Sequence, residues 1–566
     1  MGLIVPHHHM PLCSSVVLDT DRLLTGDIGL ISQSGALMVS VFDRAAADGI
    51  GFRNCVSLGN QSDLEICDFL EFMAEDPATK AVCLYVEGLQ NGPRFRSAIM
   101  ACRDAGKPVL MVKTGRTEAG VKSARSHTAS LAGSFEVFEA ICREAGVVQA
   151  KDPDDMVRAA NIMVRHPQPR RRGGVGVYST SGGGAGIASD RLTETGLGLA
   201  ALSDATKEKL SEILLPPQAD NPIDTGGRKV PDSVDITRTA AEILLADDAV
   251  SYGLVVLTSM PAFAEKTRIL GELAKESAKP CFVAITPGHG ADKPRQALRE
   301  LDQPYFDRFE DALRALELVA QHDALRTEEF GAPERPVGLP TVVALPSGAV
   351  TESEVKAALT AYGIATAKEV IVPDAAAAAQ AATAVGFPVV LKAVSRDIVH
   401  KSDVGAVAVG LRDAAAVEAA VAAMRDAVAT KAPGAGIDGF SVQEMVRGEA
   451  EIIIGARRDP VFGPVVLVGF GGTAVEILKD VAVAPAPLTP QRARTMVDSL
   501  RLAPLLHGAR GRPLLDVAAI VDAMVRIGWL AHDLGDRLID LEVNPLLVRP
   551  EGQGAVAVDG RATLAD

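Results

Sequence analysis

The chain has 566 residues, of which 48% are hydrophobic and 4% aromatic, and a formal charge of −15. That length calls for three or four domains, since a single core stops growing at roughly 250–300 residues, and cores of Ala, Val, Leu and Ile point to helices on parallel sheets and away from a β-sandwich. The negative charge, with no sustained Lys/Arg stripe, argues against nucleic acid and anionic membrane as partners.

Seven scattered cysteines with no C-x-x-C pair suggest a reducing cytoplasm. No signal profile and no apolar run of ~18 residues stands out, so a soluble cytoplasmic protein is expected.

Residues 1–26 show no periodicity. His7, His8 and His9 are adjacent, point in different directions and lack metal-site spacing, so a surface loop is expected there. From 27 the pattern is strand, turn, helix: GDIGLIS, then QSG, then ALMVSVFDRAAADGIG ending at glycine. At 174 it recurs in GGVGVYSTSGGGAGIASDRLTETGLG. Gly29 aligns with Gly176, Ser32 with Ser179, Ser34 with Ser181 and Gly35 with Gly182, at one constant offset. The second copy is longer in its middle, where QADNPIDTGGR (218–228) lies.

Each copy continues with a middle strand (AVCLYVEG at 81–88, YGLVVLTS at 252–259) and a third after Lys-Pro (GKPVLMVKTG at 106–115, AKPCFVAITP at 278–287). This is the alternation of a doubly wound parallel sheet, which binds ligands at the carboxyl ends of its strands. Ser34-Gly35 and Ser181-Gly182-Gly183-Gly184 stand at those ends. Small residues opening a helix leave backbone N–H groups free for an anion, so two repeat-related turns suggest one phosphate held between two helix ends.

The copies differ where chemistry is expected. Glu87 ends the middle strand of the first copy, whereas the second has Ser259. His127, in RTEAGVKSARSHTASLAGS (116–134), follows the third strand of the first copy only. An exposed imidazole in a small-residue loop suits a nucleophile that carries a group, and a carboxylate at the neighbouring strand end can fix its tautomer. Glu87 and His127 are therefore a candidate pair.

Residues 323–347, rich in Pro, Gly and charge, form a linker. TESEVKAALTAYGI then begins a helix with Thr351 as N-cap and Glu354 as capping-box acid. FPVVLKAV (387–394) is a buried strand whose Lys392 needs an anion, and RDIVHKSDVGAVAVG (396–410) is a polar loop with His400 and Lys401. LIDLEVNPLLV (538–548) puts Glu542 and Asn544 on one face, and GAVAVDGR (554–561) returns as a strand to Asp559. Oxygen donors at adjoining strand ends suit Mg²⁺ with phosphate oxygens, and the lysines suit a nucleoside triphosphate.

In order, QSGAL, YVEG, KTGRTEAG with SHTASLAG, TSGGGAG, NPIDTGG, VLK, HKSDVG, VQEMV, DPVFGP, GG with VEILKDV, and LEVNPLLV closely resemble the ADP-forming (NDP-forming) acyl-CoA synthetases, or acetate–CoA ligases, of the succinyl-CoA synthetase superfamily. The resemblance implies an α/β protein: two flavodoxin-like doubly wound domains (27–165 and 172–322), the linker, and an ATP-grasp domain (348–566). It makes His127 the phosphohistidine and Glu87 its stabilising acid, with phosphate-binding helix ends at Ser34, Gly35, Gly183 and Gly184. In the ATP-grasp part Lys392 and Lys401 face phosphates, Glu444, Met445 and Val446 form the adenine hinge, and Glu451 touches the nucleotide. Asn544 and Asp559, with Glu542, are the implied Mg²⁺ ligands, and His400 is a candidate relay.

The family's N-terminal CoA-binding domain has no counterpart here, and residues 1–26 read as a remnant of it. The expected activity is conversion of a carboxylic acid, CoA and ATP to acyl-CoA, ADP and phosphate through an acyl phosphate and a phosphohistidine, with a CoA-binding domain supplied in trans as one arrangement. A homo-oligomer is expected. The rivals are an ATP-grasp carboxylate–amine ligase, which leaves His127 without a role, and a non-catalytic nucleotide-binding subunit.

Overall fold

The computed structural model describes residues 2–14, 23–117, 119, 134–168, 173–226, 232–257, 261–285, 288–328, 330–340, 344–398, 401–472 and 480–566. The chain divides into two compact units, one of residues 1–132 and 142–329 and one of 133–141 and 330–566.

The first unit holds two sheets. One contains β1 (Gly2–Val5), β2 (Met10–Cys13), β3 (Thr25–Ser32), β4 (Phe52–Ser57), β5 (Ala81–Val86), β6 (Val109–Lys113) and β7 (Val148–Gln149), ordered β2-β1-β4-β3-β5-β6-β7. From β4 to β7 neighbouring strands are parallel, while β1 runs antiparallel to both β2 and β4. The hairpin lies in the segment that shows no pattern in the sequence: its strands are four residues each, too short to display alternation.

The other sheet contains β8 (Gly174–Ser179), β9 (Ile223–Asp224), β10 (Val250–Leu257), β11 (Cys281–Ile285) and β12 (Tyr305–Phe306), all parallel, ordered β12-β11-β10-β8-β9. Without the hairpin, both sheets run second-first-third-fourth-fifth, so the sequence repeat is a repeat of topology. It also explains the aligned pair Gly29 and Gly176. A Cβ on Gly176 would stand 3.0 Å from Val250 Cγ1, and one on Gly29 would run into the Met73 sulfur, so at this position the first strand of each copy is closely packed and a side chain would displace its neighbour.

The helices that follow the fifth strands, Pro153–Arg165 and Phe309–Arg326, pack on each other. Arg314 Nε donates to Asp155 at 2.7 Å and Arg158 Nη1 to Asp311 at 3.3 Å across that seam. One apolar core, with Phe42, Met156, Phe282 and Leu316, continues through both sheets. The second helix runs to Arg326, a turn into the stretch expected to be linker.

The second unit also holds two sheets. The smaller contains β14 (Glu369–Val372), β15 (Val389–Val394), β16 (Val407–Leu411) and β17 (Gly439–Glu444), ordered β14-β17-β15-β16 and antiparallel. Helices Ala375–Val385 and Ala414–Lys431 cover it over an alanine- and valine-rich core. The larger is β13 (Gly348–Val350), β18 (Ala450–Asp459), β19 (Gly463–Phe470), β20 (Val481–Pro485), β21 (Leu538–Val548), β22 (Ala555–Ala557) and β23 (Gly560–Leu564). It runs β13-β23-β21-β18-β19-β20 with β22 on β21, and helix Val517–Leu534 packs on it. The capping box of helix Glu352–Ala361 is formed as its sequence requires, with Thr351 and Glu354 bonding reciprocally. Among the described residues no helix is long and apolar enough to cross a membrane.

Candidate functional site

The two turns of the first unit expected to bind phosphate are built alike. Ser32 Oγ donates to Ser34 O at 2.8 Å and accepts from Ser34 N–H at 3.1 Å; Ser179 Oγ donates to Ser181 O at 2.9 Å and accepts from Ser181 N–H at 3.1 Å. Ser34 Oγ then caps Leu37 N–H at 3.3 Å, and Ser181 Oγ caps Gly184 N–H at 3.4 Å. The cap therefore uses the third helical N–H and leaves those of Gly35, Gly182 and Gly183 directed out of the helix start. Gly184 serves the cap, so its N–H is engaged. Asp224 borders the second turn: a Cβ on Gly182 would lie 3.1 Å from its Oδ2.

Glu87 follows β5 directly and is half-buried. Its main chain is held from both sides. Gln33 Oε1 accepts from the N–H groups of Glu87 and of Gly88, the latter at 3.0 Å, and Lys113 Nζ donates to Glu87 O at 2.7 Å. Burial pushes the Lys113 pKa down to about 8, opposed by the nearby Glu87 carboxylate. Gln33 and Lys113 were not singled out in the sequence; the only signal for them was their position, one before a cap serine and one at the end of a strand. His127, the proposed partner of Glu87, and Ser259, its counterpart, lie outside the described residues, as does His400.

In the stretch NQSDLEICD (60–68), Glu65 and Asp68 are engaged by one arginine. Arg94 donates to Glu65 at 3.0 Å, to Asp68 at 2.7 Å and to Glu71 at 2.9 and 2.7 Å.

In the second unit a cavity of about 400 Å³ is lined by Glu352, Arg396, Lys401, Glu542, Asn544 and Asp559 among others, and Lys392 and Lys401 line a smaller recess that shares Glu352 with it. Lys392, inside β15, finds the anions its burial demands: Nζ donates to Glu352 Oε1 at 2.7 Å, Asp559 Oδ2 at 2.8 Å and Val558 O at 3.1 Å. Burial works against its charge, but the two carboxylates prevail and hold its pKa above the ordinary lysine value. Burial and the neighbouring Glu352 raise the pKa of Asp559, against the pull of Lys392. Lys401 Nζ donates to Glu352 Oε2 at 2.7 Å.

Asn544 Nδ2 donates to Glu542 Oε1 at 2.9 Å, confirming their common face, and Asn544 N–H donates to Asp559 O at 3.2 Å. Glu542 is also paired with Arg561 at 2.5 Å. Among the described residues no three His, Cys, Asp or Glu are grouped to hold a metal unaided. Two carboxylates and an amide oxygen at one cavity wall nevertheless suit Mg²⁺, which keeps few protein ligands and completes its shell with phosphate oxygens and water.

Glu444 ends β17 and is locked to β14's approach: its N–H donates to Lys368 O and its Oε1 accepts from Lys368 N–H, each at 3.0 Å. Met445 is exposed and Val446 half-buried just beyond it. Glu451 stands apart from the lysines, lining a separate cavity with Phe470, Gly471, Gly472 and Arg512. Glu352, the acid at the centre of the lysine cluster, was missed in the sequence because it sits beside the capping-box acid. The available signal was a second carboxylate in a first turn that needs one.

Residues 25–163 match the family of succinyl-CoA-ligase-like flavodoxin domains, and residues 342–564 match the ATP-grasp domain family. The protein is thus of the class that joins such a flavodoxin domain to an ATP-grasp domain. It is 34% identical to the ADP-forming acetate–CoA ligase I of Archaeoglobus fulgidus, over 94% of this chain and 77% of that protein. It is 29% identical to the ADP-forming 4-hydroxybutyrate–CoA ligase of Nitrosopumilus maritimus, over 95% of this chain and 78% of that one. A dinucleotide-forming acetyl-coenzyme A synthetase 1 of Ca. Korarchaeum cryptofilum, solved with phosphate and ADP, shares the fold, with a TM-score of 0.51, 24% identity, and coverage of 58% of this chain and 70% of that one. The chain belongs to the ADP-forming acyl-CoA synthetases, a family of acid–thiol ligases.

Proposed function

We propose that the protein joins a carboxylic acid to CoA at the expense of ATP, releasing ADP and phosphate. The observation that supports this best is the convergence of Lys401, Asn544 and Asp559 on one cavity, with Lys392 in the adjoining recess bonded to Asp559 and to Glu352. The lysines meet the terminal phosphates of ATP, and Asn544 and Asp559, with Glu542, hold the Mg²⁺ that accompanies it and offsets phosphate charge. An imidazole nitrogen of His127 attacks the γ-phosphorus, the bond to the β,γ-bridging oxygen breaks, and ADP leaves. The substrate carboxylate then takes the phosphoryl group from His127 as an acyl phosphate. The CoA thiol attacks its carbonyl carbon, losing its proton and expelling phosphate. The free N–H groups at Gly35, Gly182 and Gly183 stabilise the phosphoryl oxygens in the flavodoxin-type domains.

His127 and Glu87 have no use in a carboxylate–amine ligase. The relatives act on different acids, acetate and 4-hydroxybutyrate, so the acid here is assigned only as a carboxylate. Seven scattered cysteines, six of them buried, suit a reducing, cytoplasmic setting.

The test is transfer of label from γ-phosphate-labelled ATP to the protein and back to ADP, without CoA. The label should be acid-labile and base-stable, as phosphoramidates are. His127→Ala should abolish it, and Glu87→Gln should slow it by removing a charge that favours the phosphorylated imidazole. Absence of label with nucleotide bound would point to the non-catalytic subunit.

A further inference from the structure

Glu352 is the point on which Lys356, Lys392 and Lys401 of the second unit converge. Only 8% of it is exposed. Its Oε1 accepts from Lys392 at 2.7 Å, Lys356 at 2.8 Å and Gln443 Nε2 at 2.8 Å, and its Oε2 from Lys401 at 2.7 Å. Its helix does not need it, because Thr351 and Glu354 complete the cap between them. The other groups around it come from every neighbouring element: Glu369 of β14, which takes Lys356 at 3.3 Å and Gln443 at 3.0 Å, Ser441 of β17, and Asp559 beyond β22. Stability does not explain such a cluster, since an apolar filling of the same shape is commonly as stable or more so.

We propose that Glu352 is a positioning residue for phosphoryl transfer. One carboxylate oxygen holds Lys392 and the other Lys401, fixing two flexible ammonium groups at the spacing at which they meet the terminal phosphates of a nucleoside triphosphate. This rests on the reading of the cavity as the nucleotide site. Lysine is a point charge on a four-carbon stem, so its aim has to come from a partner. Asp559 is such a partner for Lys392 but is also a candidate metal ligand; Glu352 is the anchor that remains when Asp559 turns to a cation. Transfer depends on small displacements of charge, so loosening the lysines slows the chemical step more than it weakens binding.

The experiment uses the full chain, with Mg²⁺-ATP and the amine reagent N-hydroxysuccinimidyl acetate as probes. In Glu352→Gln, phosphate incorporation at saturating ATP should fall at least tenfold while KM for ATP moves less than threefold. Acetylation of Lys401, read by peptide mass spectrometry, should quicken at least fivefold. Glu352→Asp, which keeps the charge but shortens its reach, should recover turnover only to between twofold and fivefold below wild type. Wild-type turnover and lysine reactivity in Glu352→Gln, or a rise in KM alone, overturn the inference. Should Glu352→Gln not fold, Glu352→Asp decides: slower turnover at constant KM supports it, and unchanged turnover overturns it. Should the wild type take no label, the proposed function falls, and the inference is judged on Lys401 alone: faster acetylation in the variant supports it and an unchanged rate overturns it.

Discussion

Asp559 has two claims on it, and they make opposite demands. It neutralises Lys392 at 2.8 Å, and in the proposed function it is needed at the metal that accompanies ATP. Asp559→Ala removes the metal ligand and at the same time frees Lys392 for phosphate. Calorimetry should therefore show Mg²⁺-ATP binding weakened about tenfold or more, roughly 1.4 kcal/mol, while ATP without Mg²⁺ binds as well as to wild type or better. Asn544→Ala should weaken only the metal-dependent part. Glu418→Ala, exposed on helix Ala414–Lys431 and away from both cavities, should change neither. Equal losses with and without Mg²⁺ in Asp559→Ala would count against its role as a metal ligand.

Elements depend on polar pins that hydrophobic pattern does not reveal, and Asp247 is one. Its Oδ2 accepts from Ser203 N–H and Oγ, each at 2.9 Å, and its Oδ1 from Ala249 N–H at 2.8 Å, tying the start of helix Asp204–Ser211 to the approach of β10. Burial opposes its charge, but donors from Thr206, Ser203 and Ala249 prevail and lower its pKa to about 2. A depressed folded-state pKa adds stability above the unfolded value, and that stability is lost as pH falls from about 4 to about 2. Asp247→Asn should cost about 1–3 kcal/mol at neutral pH, and the gap between its thermal midpoint and that of wild type should close on acidification through that window. A gap that persists at pH 2 would assign the loss to packing. The same distinction governs what was legible in the sequence. Repeated strand–turn–helix units, the buried strand around Lys392 and the shared face of Glu542 and Asn544 follow from local spacing and were readable. The hairpin β1–β2, the two-residue strands β7, β9 and β12, and the placement of Glu352 and Gln33 depend on partners far along the chain, which periodicity does not encode.

At the scale of the whole molecule, the proposed donor and acceptor of the phosphoryl group belong to different stretches of chain. Every described residue of the proposed nucleotide cradle, from Glu352 to Asp559, falls after Phe330, and that segment has its own two cores. Its leading residues are tied down: Arg335 donates to both oxygens of Asp533 at 2.9 and 2.7 Å and lies 5.1 Å from the Trp529 ring, and Tyr362 donates to the same carboxylate at 2.5 Å. A fragment of residues 330–566 should therefore fold and bind Mg²⁺-ATP by calorimetry within about tenfold of the full chain, roughly 1.4 kcal/mol. It lacks His127, so it should take no label from γ-labelled ATP. A folded fragment with no Mg²⁺-dependent ATP binding would reject the nucleotide site. A labelled fragment would instead move the first phosphoryl acceptor into the ATP-grasp domain, where His400 stands next to Lys401 in the chain, and His400→Ala would then have to remove the label.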